Sequence, residues 1–408
     1  MLSFIKLAWR NLFRNKRRTL IAGLARGRGL AALIFVDALT LGMVDSMVRM
    51  ATSSFMGEAQ VMHKDFRAAQ AVEKTIAGSP EILAALEVET LVDKYAPRVL
   101  SLAMITSPAN VSAVQLVGVS PEQERHLSKI DDALTPGEYF SGHDQRDIVV
   151  GVKLAEILEA GLGDRVVLTV AQAGSGDLSQ ELFRISGIYD IKDRAMNCGL
   201  AFVRLEPAQR MLGLGQGIHQ VAIKFRDPRS AADTTLPFWK LFSTNGNVAV
   251  SWRALLPQLQ SMIDLAGYAT MFLGVVLIGV VAFVILNTLF MSIFERMFEF
   301  GVLRALGTRP IGIAQLILFE AGALAVISIA IGCAIALVLT AILSVTGLNY
   351  GDTEFSGMAL RELIYPVVTV RQYVMFPVYI LLFTIVIGIY PAIHAARIAP
   401  AQAMRKSF

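Results

Sequence analysis

The chain has 408 residues, of which 54% are hydrophobic and 17% are charged, and its formal net charge is +4. This composition is too apolar for an ordinary soluble protein. The basic residues cluster beside apolar runs, as the positive-inside rule predicts, so the charge does not require a nucleic-acid partner. The two cysteines, Cys198 and Cys333, lie in a hydrophilic and an apolar region, and we expect no disulfide between them.

The first segment, residues 1–19, interleaves basic side chains with apolar ones such as Phe4, Leu7 and Leu12 at helical spacing. This pattern predicts an amphipathic helix on the anionic inner surface of a membrane. The alternative is a basic flank that sets topology only.

Residues 20–48 form the first predicted transmembrane span, although two arginines, Arg26 and Arg28, lie inside it. Since a charge at the bilayer centre costs ~3 kcal/mol on insertion scales, we expect both side chains to extend to the inner face, with the membrane part starting near Gly29. Asp37 would face the bundle or a partner subunit, as a satisfied polar residue at a helix contact.

Residues 49–262 have frequent charges, glycines and prolines, which predicts a soluble α/β domain inserted between the first and second spans. Apolar alternation predicts strands at Ala59–Met62, Val114–Val117, Ile148–Val150, Val166–Val170, Leu182–Ile188, Leu200–Val203 and Gln220–Phe225. The spacing predicts helices at Pro80–Leu86, Lys153–Ala160 and Glu206–Leu212.

Three more apolar runs predict spans at residues 263–293, with a stalk base, 311–345 and 373–393. Asn287 in the second span predicts an interhelical hydrogen bond. Glu320 in the third span is a functional candidate, because intramembrane carboxylates usually carry a function, or else a buried contact near the inner interface. The fold class is therefore a four-helix membrane protein with a large inserted α/β domain.

The connections predict the topology. The basic N-terminal flank, the segment 294–310 and the tail 394–408 must share the cytoplasmic side, and the inserted domain and the loop 346–372 take the other.

Segment 294–310 joins two apolar runs. Phe294, Phe298 and Val302 share one helical face, whereas Glu295 and Glu299 lie mostly off it. This pattern predicts a short amphipathic helix that packs on the bundle through its apolar face. The alternative is a cytoplasmic loop whose arginines only determine topology.

The run E-R-x-x-E-F-G-V-L-R-A-L-G at Glu295–Gly307 and the C-terminal run at Tyr390–Arg405 resemble motifs of FtsX-like permeases. These are membrane subunits of ABC transporters of the LolC/LolE and MacB types. Gly151–Leu168 resembles a pattern in their periplasmic domains. The resemblance implies a coupling helix that docks on a separate ATPase, and its predicted contact residues are Glu295, Arg296, Glu299, Gly301, Arg304, Ala305, Leu306 and Gly307.

The resemblance also implies a homo- or heterodimeric permease in the bacterial inner membrane, with both termini cytoplasmic. A separate ATPase dimer would bind ATP and Mg, and its closure would move the periplasmic domain by mechanotransmission. The layout is closest to LolC/LolE, which favours lipoprotein extraction, with membrane lipids, the lipoprotein and a periplasmic carrier as further partners. The alternatives are efflux of a peptide or drug, or a non-transporting FtsX-like signalling subunit.

No phosphate-binding loop of the form G-x-x-x-x-G-K-[ST], no H-E-x-x-H motif and no G-x-S-x-G elbow occurs in the sequence. The five histidines are scattered. We therefore expect no catalytic residue, no metal site and no cofactor in this chain.

Overall fold

A computed structural model describes residues 16–140, 145–191, 193–348, 354–355, 358–359 and 363–397. The described residues form two units. One lies within residues 1–46, 262–349 and 362–408, and the other lies within residues 47–261 and 350–361. Most of the predicted amphipathic helix at 1–19 and most of the predicted tail at 394–408 lie outside the described residues.

The helices are, in chain order, α1 (Lys16–Ala51), α2 (Phe66–Ala69), α3 (Ser79–Val88), α4 (Pro121–Glu124), α5 (Val152–Leu158), α6 (Arg194–Gly199), α7 (Leu205–Leu212), α8 (Pro237–Leu241), α9 (Trp252–Leu255), α10 (Pro257–Glu295), α11 (Met297–Ala305), α12 (Pro310–Thr346) and α13 (Val370–Arg397). A π-helical turn follows α1 at Thr52–Met56, and a 3₁₀ turn lies at Pro228–Ala232.

The strands are β1 (Ala59–His63), β2 (Val92–Thr106), β3 (Val111–Val119), β4 (Leu134–Gly137), β5 (Asp147–Gly151), β6 (Arg165–Ala171), β7 (Leu178–Tyr189), β8 (Leu200–Arg204), β9 (Gln220–Phe225), β10 (Asn247–Ser251), β11 (Glu354–Phe355) and β12 (Met358–Ala359). Each strand predicted from the sequence lies within an observed strand.

Four stretches among the described residues are long and apolar enough to cross a membrane: Thr19–Met56, Pro257–Glu295, Pro310–Thr346 and Val370–Arg397. Together with the mixed α/β unit they confirm the predicted fold class. The helices extend beyond the predicted spans. The predictions ended where the sequence becomes less apolar, whereas the helical backbone continues past that point. α10, for example, begins at Pro257 instead of residue 263.

Helices α1 and α12 approach closely at two glycines. A Cβ on Gly332 would lie 2.7 Å from the carbonyl oxygen of Gly27, and a Cβ on Gly27 would lie 3.0 Å from the carbonyl oxygen of Ser328. Small residues at such crossings let the two backbones pack directly. This close packing stabilises the helix pair, because in lipid no hydrophobic effect favours the association of helices. The glycines beside Arg26 thus serve helix packing.

The second unit is organised around a ring of hydrogen-bonded strands. β2 pairs with β3, which continues through β8, β5 and β7 to β6, and β6 pairs back with β2. The pairs β3–β8 and β5–β7 are parallel, whereas the other four are antiparallel. β9, β1 and β10 extend the sheet from β2.

The ring closes because β2 is 15 residues long and has different partners along its length. Its first half pairs with β9, and its last residues, Ala103–Thr106, pair with β6. The sequence analysis did not predict β2, since its first half contains Asp93, Lys94 and Pro97, which are uncommon in strands.

The core of this unit contains a buried ion pair. Arg98 Nη2 lies 2.6 Å from Glu124 Oε1, Arg98 Nε donates to Glu124 Oε2 at 2.9 Å, and both side chains are fully buried. The guanidinium lies 3.9 Å from the ring centroid of Phe55. The pair and the ring connect β2, α4 and the turn that follows α1.

Candidate functional site at the junction of three helices

The predicted coupling segment is not one helix. α10 ends at Glu295 and α11 begins at Met297, because Arg296 adopts φ −109° and ψ 15°, outside helical geometry. Its amide still donates to Ile293 O at 3.2 Å, and its carbonyl accepts from Phe300 N at 3.0 Å. Arg296 is therefore the corner between the two helices.

Arg296 also carries the polar contacts of this corner. Its Nη1 donates to both carboxylate oxygens of Glu320 on α12 at 2.6 Å each. Its Nε donates to Glu299 Oε2 on α11 at 2.8 Å. Its Cζ lies 5.3 Å from the ring centroid of Phe300, within cation–π range. One guanidinium thus connects the corner, α11 and α12.

Two carboxylates stabilise the positive charge of Arg296. Burial lowers its pKa, but the hydrogen bonds and charges of Glu320 and Glu299 outweigh burial, so the pKa lies above its ordinary value. Arg296 was predicted to contact an ATPase, whereas its side chain is only 18% exposed and is engaged within the chain. The structure makes it a link inside the bundle.

The predicted packing face is wrong. Phe294, Phe298 and Val302 are 60%, 51% and 37% exposed, whereas Phe300 is 5% exposed and Gly301 is buried. Phe300 packs in a cluster with residues of α12 and α13, including Ile313, Ile317 and Ala392. The prediction took the apolar stripe for the bundle-facing side, whereas the bundle contacts Phe300 and Gly301 on the other side of α11.

The other predicted contact residues divide by position. Gly301 faces the bundle, which contradicts its assignment to an ATPase surface, and Arg304 is half-buried. Glu295, Ala305, Leu306 and Gly307 are exposed, and Glu299 is 41% exposed. Gly307 has φ +93°, a conformation that favours glycine, and its amide donates to Arg304 O at 3.1 Å, which ends α11.

The intramembrane polar residues behave differently from one another. Asp37 Oδ2 accepts from Gln372 Nε2 of α13 at 2.7 Å, which is the satisfied helix contact expected for it. Asn287 lies on the exposed side of α10, and within the described part of the chain it makes no interhelical hydrogen bond. Its neighbour Thr288 makes such a bond instead, as the acceptor for Arg26 Nη2.

The prediction for Arg26 is also wrong. It was expected to extend to the inner membrane face, but it is 2% exposed and lies within the bundle. Arg28, two residues later, is exposed. Helical spacing turns the two arginines in different directions, and the hydropathy profile could not distinguish them.

The part of the chain that the structure describes contains no group of three or more His, Cys, Asp or Glu residues that could hold a metal ion. The chemistry that the junction supports is recognition and transmission of movement: an ion-paired corner inside, and exposed apolar side chains on the other face of α11.

Two family models match the sequence. The FtsX-like permease C-terminal model matches residues 271–400, which include the whole junction. The MacB-like periplasmic core domain model matches residues 20–235, more than half of the chain.

Curated relatives cover most of the chain at low identity. The chain is 26% identical over 329 residues to the lipoprotein-releasing system transmembrane protein LolC of Xylella fastidiosa (strain 9a5c), covering 76% of this chain and 77% of the relative. It is 24% identical over 421 residues to LolE of Haemophilus influenzae, covering 98% of each.

Among solved structures, the periplasmic region of MacB from Actinobacillus actinomycetemcomitans aligns with 53% of this chain and 98% of its own, at 11% identity and a TM-score of 0.36. The family match rests on the sequence models and not on this similarity.

Proposed function

Since the chain belongs to the FtsX-like permeases with a MacB-like periplasmic core domain, we propose that it is the membrane subunit of an ABC transporter that extracts lipoproteins from the inner membrane. ATP hydrolysis by a separate ATPase dimer drives it, and the chain itself catalyses no reaction. It works as a homo- or heterodimer with a second permease subunit, and a periplasmic carrier receives the lipoprotein.

The observation that carries this proposal is the exposed apolar face of α11. Phe298, Val302 and Leu306 are 51%, 37% and 79% exposed and follow one another at intervals of four residues, so they form one stripe. Glu295 and Glu299 lie beside it. An apolar stripe with a charged border on a connecting helix fits a protein interface, and a partner ATPase would cover it.

The ion pairs at Arg296 support the transmission of movement. A displacement of α11 would pull on α10 through the backbone and on α12 through Glu320. α10 is a continuous helix of 39 residues, and it can therefore act as a lever. In this mechanism no substrate passes through the bundle of one subunit.

The proposed orientation places α11 and both termini in the cytoplasm and the α/β unit in the periplasm. The support is the cluster of basic residues near α11 and in the terminal segments. The names of the relatives, lipoprotein-releasing LolC and LolE, support the choice of substrate.

The test is purification of the tagged chain in mild detergent, with identification and quantification of copurifying subunits. We expect a stoichiometric ATPase whose activity rises when a lipoprotein is added. Phe298→Asp should remove the ATPase, because a charge enters the proposed interface. Val88→Asp makes the same kind of change at an exposed residue of α3 and should retain it.

Three outcomes would contradict the proposal in different ways. Absence of any ATPase from the wild-type preparation would exclude a transporter subunit. Retention of the ATPase by Phe298→Asp would exclude α11 as the docking helix. Stimulation of the ATPase by peptides or drugs, but not by lipoproteins, would show that the transporter exports such molecules and does not extract lipoproteins.

A further inference from the structure

Arg26 is a buried guanidinium that the chain satisfies only in part. Its Nη2 donates to Thr288 Oγ1. Its Nε and Nη1 are inaccessible to solvent and have no hydrogen-bond partner among the described residues. In a membrane bundle such a group needs an anion, because burying a charge without a counter-charge is strongly unfavourable.

Arg26 lies against a cavity of about 650 Å³ among α1, α10, α11 and α12. The cavity is lined by polar groups and by apolar side chains such as Ile21, Leu289, Ile317 and Leu324. Ile21 is also 68% exposed, so the apolar wall continues to the surface of the bundle. The cavity can therefore receive a molecule from the surrounding lipid.

The carboxylates that line the cavity are not the partners of Arg26. They are Glu295, Glu299 and Glu320, and Arg296 holds the last two. No ion pair joins Arg26 to a carboxylate in the described part of the chain. Residues 1–15 and 398–408 contain no Asp or Glu that could supply one.

The position of Arg26 selects the kind of anion. Its partner Thr288 lies seven residues before the end of α10 at Glu295, a depth of about 10 Å at 1.5 Å per residue. With the end of α10 taken as the outer edge of the headgroup layer, this depth lies close to the boundary between lipid headgroups and acyl chains. The guanidinium has N–H groups without a partner, and phosphate oxygens are strong acceptors for such charged donors.

We propose that this cavity is a phospholipid-binding site, in which the guanidinium of Arg26 turns into the cavity and donates to the phosphate, and the apolar wall near Leu289 and Ile317 contacts an acyl chain. A free phosphate ion offers the same oxygens, but it leaves the apolar wall uncovered. The site requires neither the ATPase nor a lipoprotein, and it is independent of the proposed function.

The test uses native mass spectrometry of the full chain, with its copurifying subunits, in detergent. The probes are dioleoylphosphatidylglycerol and dioleoylglycerol, which share acyl chains and differ in the phosphate. We expect the wild type to retain the phospholipid and not the diacylglycerol. Arg26→Gln should weaken phospholipid binding about tenfold, as expected for loss of a charge-assisted contact.

The matched control is Arg28→Gln, which removes the same charge from an exposed residue two positions away. We expect its binding to equal that of the wild type. Equal losses in both variants would overturn the proposal, since they would indicate a general effect of charge. Unchanged binding by Arg26→Gln would overturn it as well.

Three further measurements keep the test decisive if Arg26→Gln does not fold. Equal retention of both probes by the wild type would show that the phosphate is not recognised. Displacement of the phospholipid by an equal concentration of inorganic phosphate would show that the acyl chains add nothing to binding, and it would overturn the lipid assignment. Retained phospholipid in Arg26→Lys, with weaker binding than in the wild type, would support recognition by charge and by the guanidinium fork.

Discussion

Arg296 and Glu320 form a bidentate contact across two helices, with both carboxylate oxygens 2.6 Å from the same Nη1 atom. The side chains are 18% and 14% exposed, so solvent screens the pair only weakly. Arg296 is also the residue at which the backbone turns from α10 into α11. The same residue therefore determines the angle of the corner and connects it to α12.

Breaking this pair should destabilise the bundle. In Glu320→Gln, Arg296 loses one of its two carboxylates, and a hydrogen bond to a charged group is worth about 1.5–3 kcal/mol. We expect a lower Tm in detergent and weaker substrate stimulation of a copurifying ATPase. A double-mutant cycle with Arg296→Gln measures the coupling energy.

The control for this cycle is the exposed pair Lys153–Glu156, with an Nζ–Oε2 distance of 2.7 Å and side chains 51% and 57% exposed. Its coupling should be about 0.3–0.5 kcal/mol, because solvent screens a helical surface pair. A coupling at Arg296–Glu320 as small as this one would show that the junction is not held by the ion pair.

Two phenylalanines of α11 should respond differently to replacement by alanine. Phe300 is 5% exposed in the cluster with Ile313 and Ile317, so Phe300→Ala leaves a cavity and should cost about 3–5 kcal/mol of stability. Phe298 is 51% exposed, so Phe298→Ala should leave the Tm of the isolated chain near that of the wild type. Thermal unfolding measures both, and equal Tm losses would contradict the observed face.

The crossing of α1 and α12 should not tolerate a side chain at Gly332. The added Cβ of Gly332→Ala would lie 2.7 Å from Gly27 O, so the helices must separate, at a cost of about 1–3 kcal/mol. Gly322→Ala on the same helix meets no atom within 4 Å and serves as the matched control. Similar Tm values for the two variants would exclude close packing at this crossing.

His219 should make the stability of the α/β unit depend on pH. It is fully buried, its Nδ1 accepts from Leu100 N at 2.9 Å, and its Nε2 lies 2.8 Å from Val72 O. Burial lowers its pKa below the ordinary value. The unfolded chain therefore binds a proton first, and stability should fall as pH falls below about 6.5, with a slope of at most ~1.4 kcal/mol per pH unit.

The slope is measured as the Tm of the α/β unit in the full chain between about pH 7.5 and pH 5.5, a range around the ordinary histidine pKa. His219→Gln removes this contribution, so its curve should be flatter than that of the wild type, whatever its absolute stability. Parallel curves would show that the ring is not held neutral by burial.

The architecture could be read from local patterns to a large extent. Apolar runs near 20 residues predict spans, and alternation predicted strands such as β9 at the observed bounds. β2 was not predicted, because its strand conformation depends on pairing with β9 and β6, which lie far from it in the sequence. Its charged residues and Pro97 interrupt the apolar alternation from which a strand is predicted.

The membrane composition, the four spans, the inserted α/β unit and the family motif followed from the sequence by itself, because each depends on the order and type of neighbouring residues. The sequence also identified Arg296, Glu299 and Glu320 as residues of interest.

Only the tertiary structure decided their roles. The packing of α11 on α12 and α13 buries Phe300 and leaves Phe298 exposed, and the packing of α1 against α10 and α12 buries Arg26 beside Thr288. The burial of a side chain and its bonding partners depend on contacts between residues far apart in the chain. Arg296 and Glu320 are 24 positions apart, and Arg26 and Thr288 are 262 positions apart. No periodicity within one segment encodes such a contact.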